Sequence, residues 1–361
     1  MVNELLAESS GAVRNVKRPP YSNRVWFLEW LRVAACLAVV LIHALVTLLD
    51  NSTVAQVGSL RALAWTEVLV VFGRWAVPVF LMITGALLLD PQRAVGGRKL
   101  FGYIKRMMLV LAIFGTGYAL MELVFDARTV RLSMLPMAVL NVLQGKNWAH
   151  MWYVYDLLGI YLLLPFLRAF VAQADRRLYG QALGVLFLFA CVVSTVNAAV
   201  GLQIQNVLWL GSSVFYVLLG RYLFVYGRLD IRFVSAAVVC LIAQAILAAV
   251  GIVGFGAYWR FVWVPASPLV AACSACLFVF AKERFAAPMK PGGVAMTLSR
   301  LSFGIYLVHP VFANLLYKAL HWGPALLPPV VYEVVTFALV LLPSALLAAG
   351  LRCLPVFRAV L

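Results

Sequence analysis

The run from Trp26 to Leu49, WFLEWLRVAACLAVVLIHALVTLL, holds about twenty apolar residues, enough for one helix to cross a bilayer. It also carries Glu29, Arg32 and His43. Each ionisable group inside a spanning helix costs roughly 2.5–3.5 kcal/mol on insertion scales, which makes function the default explanation for its presence. Arg32 and His43 are eleven residues apart. At ~3.6 residues per turn that spacing returns nearly to the same face, ~16 Å along the axis, and Glu29 lies one turn before Arg32 on the same stripe. One helix face therefore presents an acid–base pair near one end and an imidazole deeper in.

Runs of this kind fill most of the 361 residues. Hydrophobic residues make up 65% of the chain and charged ones 12%, with a mean hydropathy of +0.98. Such a composition excludes a soluble globular protein and implies an all-α, polytopic membrane protein. About ten transmembrane helices are expected, near 26–49, 62–89, 107–125, 151–171, 181–200, 207–225, 233–253, 263–281, 301–320 and 331–351. The apolar run behind the basic tail is too long for a cleavable signal and lacks a small-residue cleavage site, so the first helix reads as an uncleaved anchor. Residues 26–351 read as a single membrane domain, flanked by a basic tail over 1–25 and a C-terminal tail over 352–361.

The formal charge of +16 does not point to nucleic acid. Lysines and arginines gather in alternate gaps: Arg14, Lys17, Arg18 and Arg24, then Arg93 to Arg106, Arg176 and Arg177, Arg228 and Arg232, Lys282 to Arg300, and Arg352 and Arg358. By the positive-inside rule these gaps and both termini are cytoplasmic. His43 then falls in the outer half of the bilayer. Residues 126–150, mixing apolar and amide side chains, read as a surface-lying or re-entrant outer segment. All cysteines but Cys353 sit in apolar runs and act as small hydrophobes. Cys273 and Cys276 have metal-like spacing but no second pair, so no metal site is expected.

Further along, Arg74-x-x-x-Pro78-x-Phe80-x-x-x-Thr84-Gly85 stands in the second helix. His150-Met-Trp152-Tyr153, followed by Tyr161 and Pro165, opens the fourth, and Ser302-Phe-Gly304-Ile-Tyr306-Leu-Val-His309-Pro310 lies in the ninth. Together with Arg32, ten residues and His43, these stretches resemble the acyltransferase-3 family of integral-membrane acyltransferases in order and spacing. The resemblance is to the stand-alone form, of bacterial surface-glycan O-acetyltransferase type. It covers helices one to four and nine, whereas helices five to eight agree only in hydropathy. The chain departs from the family in having Glu29 where Asp is usual, Thr-Gly for Ser-Gly, and Lys99…Lys105-Arg106 where arginines three apart often stand.

The resemblance implies transfer of an acetyl group from cytosolic acetyl-CoA to a hydroxyl of a cell-surface polysaccharide or its lipid-linked oligosaccharide precursor, in the bacterial inner membrane. Acetyl-CoA is a substrate, and no tightly bound cofactor is implied. Chemistry fits the residues independently. Acyl transfer to a hydroxyl needs a base that is neutral near working pH, which histidine supplies. His43 is the expected base, less readily an acyl carrier, and Glu67 is expected at its depth to orient it. Arg32 is expected at the donor thioester or phosphates, with Arg74, Lys99, Lys105 and Arg106 as further donor-binding groups. His150, Trp152, Tyr153, Asp156, Tyr306, His309 and Glu333 are candidate substrate ligands. A structural role remains open for several of these: His150, Trp152 and Tyr153 as an aromatic belt, His309 as a buried hydrogen-bonded group, and the basic cluster as a topology signal. A proton-coupled secondary transporter also has ten helices, intramembrane charges and Pro-broken segments. No paired interrupted helices occur in corresponding halves here, and a non-catalytic scaffold leaves the Arg32/His43 stripe unexplained.

Overall fold

The computed structural model describes residues 25–51, 60–201, 211–256, 259–262, 264–290, 292–323 and 327–361. All but the last residue of the basic tail, most of the loop over 50–61, the start of the sixth expected helix and Tyr258 of the aromatic turn lie outside that set. Among the described residues 82% are helical and none is in a strand. Eight helical spans are long and apolar enough to cross a membrane. Two further expected helices are present among the described residues but fall short of that length, at fifteen and seventeen residues.

In order the helices described are α1 (Trp26–Asn51), α2 (Leu60–Gly73) with α3 (Ala76–Leu88), α4 (Gly97–Ala127), the ten-residue α5 (Met134–Leu143), α6 (Ala149–Gln173), α7 (Arg176–Val200), α8 (Ser212–Tyr226), α9 (Ile231–Phe255), α10 (Pro268–Arg284), α11 (Val294–Ala319), α12 (Pro329–Leu351) and the four-residue α13 (Pro355–Arg358). α5 occupies the segment expected to lie on the surface or re-enter. α1, the α2–α3 span and α11 bury 50–61% of their apolar windows, whereas α6, α7, α9 and α12 bury only 22–28%. The first three therefore form the inner layer and the rest a sleeve whose outward face is apolar. α1 packs against α2, α3, α10, α11 and α12, so the stripe of Arg32 and His43 faces protein.

Helix two breaks at Arg74–Trp75 rather than running through. Pro78 sits in the first turn of α3, where a missing N–H costs no hydrogen bond, and its ring disfavours continuous helix back to the carbonyl of Arg74. At the end of α2, Gly73 lets α1 close in: a Cβ there would stand 2.8 Å from Ile42 Cγ1.

The tightest packing joins α3 to α8. A Cβ on Gly85 would land on the Val217 carbonyl, and one on Gly220 on the Met82 carbonyl. Small residues that let backbones touch are how helices adhere where lipid removes the hydrophobic drive. At the end of α3, Arg168 of α6 donates to the carbonyls of Leu88, Asp90 (3.0 Å) and Arg93 (2.6 Å), and Arg221 of α8 pairs with Asp90 at 3.3 Å.

Two helices start earlier than hydropathy implies. α4 begins at Gly97, so Arg98, Lys99, Lys105 and Arg106 are helical rather than part of a loop. These are good helix formers whose stems lie along apolar surface while their heads reach polar surroundings. α11 begins at Val294, adding Ser299 and Arg300 to the helix.

Candidate active site

Three helices bring three histidines together. His43 on α1 lies with its ring centroid 5.0 Å from that of His309 on α11, and His309 lies 5.9 Å from His150 at the start of α6. His150 is 4% exposed and His309 fully buried. The His309 ring is fixed by its own helix: Nδ1 faces the carbonyls of Tyr306 at 2.7 Å and Ile305 at 3.1 Å. Carbonyls only accept, so Nδ1 carries the proton and Nε2 the lone pair in the neutral ring. Nε2 of His309 and Nε2 of His150 have no hydrogen-bond partner among the described residues.

Aromatic rings wall this cluster. Tyr118 stacks on Trp148 at 4.5 Å and meets His150 edge-on at 5.2 Å, while its hydroxyl donates to the Leu307 carbonyl. Tyr306 donates to the His150 carbonyl and stands edge-on to Tyr153 at 5.5 Å.

On the other side of Tyr153 and Tyr306 is a cavity of about 400 Å³. Glu29, Arg32, Arg106, Ser299 and Arg300 give it a polar end, and Val39, Val77, Tyr153 and Tyr306, further along α1 and α11 or on neighbouring helices, line its apolar end. Val39 is ~10 Å along α1 from Arg32 and one turn short of His43. The cavity thus runs along the stripe and stops at a tyrosine layer, with the histidines immediately beyond.

Arg32 is held at the polar end. Its Nη1 donates to both Glu29 oxygens at 2.9 and 2.8 Å, and Glu29 also accepts from the Ser299 hydroxyl. Arg106 donates through Nε to the Val360 carbonyl at 2.7 Å and through Nη2 to that of Leu361 at 2.9 Å, with its guanidinium 4.9 Å from the Phe303 ring centroid. The C-terminal segment expected as a tail therefore packs on the bundle: Phe357 meets Phe114 at 5.9 Å, Val360 is buried and Leu361 lines the cavity.

The structure distributes the expected site residues unevenly. Arg32, Arg106, Tyr153 and Tyr306 line the cavity, and His43, His150 and His309 form the cluster behind it. Arg74, in the break between α2 and α3, stands within electrostatic reach of His43 rather than on the cavity wall. Glu67 is buried in α2. Lys99 and Lys105 are exposed on α4 and outside the cavity lining, with Lys99 donating to the Ala94 carbonyl at 3.1 Å. Trp152 points away, 40% exposed. Asp156 accepts from Ser213 and so joins α6 to α8. Glu333 is buried and accepts from Thr66 at 2.9 Å, joining α12 to α2.

Sequence reasoning missed Ser299, Arg300, Tyr118 and Trp148. For Ser299 a signal was present: it stands seven residues before Tyr306 and three before Ser302, on one face of the same helix.

No curated protein and no solved structure matches this chain. A family model described as an acyltransferase domain matches residues 25–349. That span takes in all three clustered histidines and every cavity residue except Leu361, and on it the chain belongs to the acyltransferase-3 family of multi-pass membrane acyltransferases.

Proposed function

We propose that the protein transfers an acetyl group from cytosolic acetyl-CoA to a hydroxyl of a cell-surface polysaccharide or its lipid-linked precursor, in the bacterial inner membrane. The observation that carries this reading is the alignment of an arginine-lined cavity and a histidine cluster on opposite sides of Tyr153 and Tyr306. A donor and an acceptor kept on opposite sides of a bilayer need such an arrangement: an anion-binding approach from the basic face, a base reachable from the other, and one reacting centre between.

In this reading Arg32 and Arg300 hold donor phosphate or orient the thioester, since guanidinium forks suit phosphate oxygens. Arg106 contributes beside them. The apolar end beside Val39 and Val77 takes the acyl end of the donor. His43 removes the acceptor proton as the oxygen attacks the thioester carbon, and the sulfur leaves as the thiol. The aromatic rings around the cluster exclude bulk water, which would otherwise compete as the acceptor.

The test uses purified protein in proteoliposomes without an ion gradient, supplied with acetyl-CoA and a mixture of methyl hexosides. Release of free thiol and acetylated glycoside is expected. Gradient-dependent uptake with intact thioester would make the protein a carrier and overturn the reading.

A further inference from the structure

We infer that His309 is the proton-carrying partner of His43: it receives at Nε2 the proton that His43 takes from the acceptor hydroxyl. This inference rests on the acyl-transfer reading above. Three observations lead to it. The two rings are 5.0 Å apart between centroids, and no other pair in the histidine cluster is as close. Nδ1 of His309 is committed to two carbonyls, so its accepting nitrogen is already defined as Nε2. That nitrogen is buried with no hydrogen-bond partner among the described residues.

A cation formed in this apolar interior needs acceptors around it. His309 has them. Once Nε2 is protonated, Nδ1–H remains bonded to the carbonyl oxygens of Tyr306 and Ile305, which supply the negative ends of two fixed dipoles. The arrangement does for a buried imidazolium what a carboxylate does in a triad, without adding a charge.

The hydroxyl O–H bond breaks and its proton goes to His43, while the oxygen forms a bond to the thioester carbon. The two rings, 5.0 Å apart between centroids, close to hydrogen-bond distance in this step, and His43 passes a proton to Nε2 of His309 and returns to neutral. The C–S bond breaks, and the sulfur takes up the proton held by the pair. One ester and one thiol are formed, and both rings end as they began. His309 is carried three residues beyond Tyr306, which lines the cavity, so the ring holding the proton is on the helix that reaches the donor side.

The test compares wild type with His309→Asn, His43→Asn and the double variant, using acetyl-CoA and methyl hexosides in proteoliposomes. Asn retains an N–H for the carbonyls but has nothing at the position of Nε2. The expected result for His309→Asn is an unchanged dissociation constant for acetyl-CoA and a kcat reduced at least a hundredfold. The double variant should fall no further than the worse single one, because one proton chain can be broken only once. Turnover of His309→Asn within threefold of wild type, or multiplicative losses in the double variant, overturns the inference. A loss accompanied by a matching fall in thermal stability, not reproduced in a stably folded His309→Gln variant, overturns it too. If wild type itself cleaves no thioester, the acyl-transfer reading fails and takes this inference with it. An active wild type with an active variant removes only the role of His309.

Discussion

Tyr306 donates its hydroxyl to the backbone carbonyl of His150, tying α11 to the short turn that begins α6. The bond is buried, and it fixes the height at which the His150 ring meets Tyr118 and His309. The same Tyr306 lines the apolar end of the cavity. One hydroxyl thus sets both the wall and the position of a group behind it.

Tyr306→Phe keeps the ring and leaves the His150 carbonyl unpaired. A buried polar group stranded in this way costs about 1–3 kcal/mol. The expected outcome is a lower unfolding temperature in detergent together with reduced turnover, and little change in acetyl-CoA binding, because the arginines at the polar end are untouched. Calorimetric titration and a thermal melt on the same preparation check it.

Arg32 and His43 should fail differently. On an ideal helix they are ~16 Å apart, too far to serve one reacting atom. Arg32 commits Nη1 to Glu29, and among the described residues Nε and Nη2 have no protein partner, so they remain for an anion in the cavity. Lysine at this position keeps the charge but loses the fork. Arg32→Lys is therefore expected to raise KM for acetyl-CoA by about ten- to a hundredfold, the worth of roughly 1.5–3 kcal/mol for one charge-assisted contact. His43→Ala is expected to stay inserted, bind donor normally and lose all but a few per cent of kcat. Steady-state rates beside donor binding separate the two, and normal donor binding by Arg32→Lys with weak binding by His43→Ala would refute the assignment.

Orientation can be read with a single thiol. Cys353 is exposed and the other five cysteines are buried or partly so, making Cys353→Ser a workable background. Cysteines placed over 126–147 should react with an impermeant maleimide on intact cells, and those over 91–104 only after permeabilisation. The reverse pattern would put the arginine-lined cavity on the outer face.

Gly85→Ala should damage the fold more than a methyl group ordinarily does, since its Cβ would coincide with the Val217 carbonyl. Overpacking of this kind costs about 1–3 kcal/mol, and more when the obstacle is backbone. Gly159→Ala is the control: nothing lies within 4 Å of its Cβ, and alanine favours helix by about 1 kcal/mol. Size-exclusion profiles and melting temperatures should show loss of monodisperse protein for the first and none for the second.

How much of this was legible beforehand follows from what each inference needs. Arg32 and His43 were recoverable because periodicity along one helix is a local property, and the expected stripe faces protein. The eight long helices were recoverable because the bilayer imposes length and apolarity on each. Lys99 and Arg106 could not be told apart, since both are basic residues near one interface. Only packing shows that Lys99 faces outward while Arg106 meets the carbonyls of Val360 and Leu361, more than 250 positions away. Ser299 and Arg300 were hidden because a hydropathy window treats a polar helical turn as a loop. The joining of Glu333 to Thr66 and of Asp156 to Ser213 likewise depends on neighbouring helices, which no single stretch encodes.

The backbone contact between α3 and α8 has a consequence for biogenesis. α8 has fifteen residues, about 22 Å at 1.5 Å per residue, against a hydrocarbon core of about 30 Å. Alone, such a segment has little reason to remain across the bilayer. With Gly220 seated on Met82 and Gly85 on Val217, it gains a partner synthesised more than a hundred residues earlier. Insertion of α8 is then an act of assembly as much as of partitioning: the ribosome delivers α3 first, and α8 is retained by docking on it. A defect at Gly85 would accordingly surface during synthesis, as a chain whose later helices lose their places, before any question of catalysis arises.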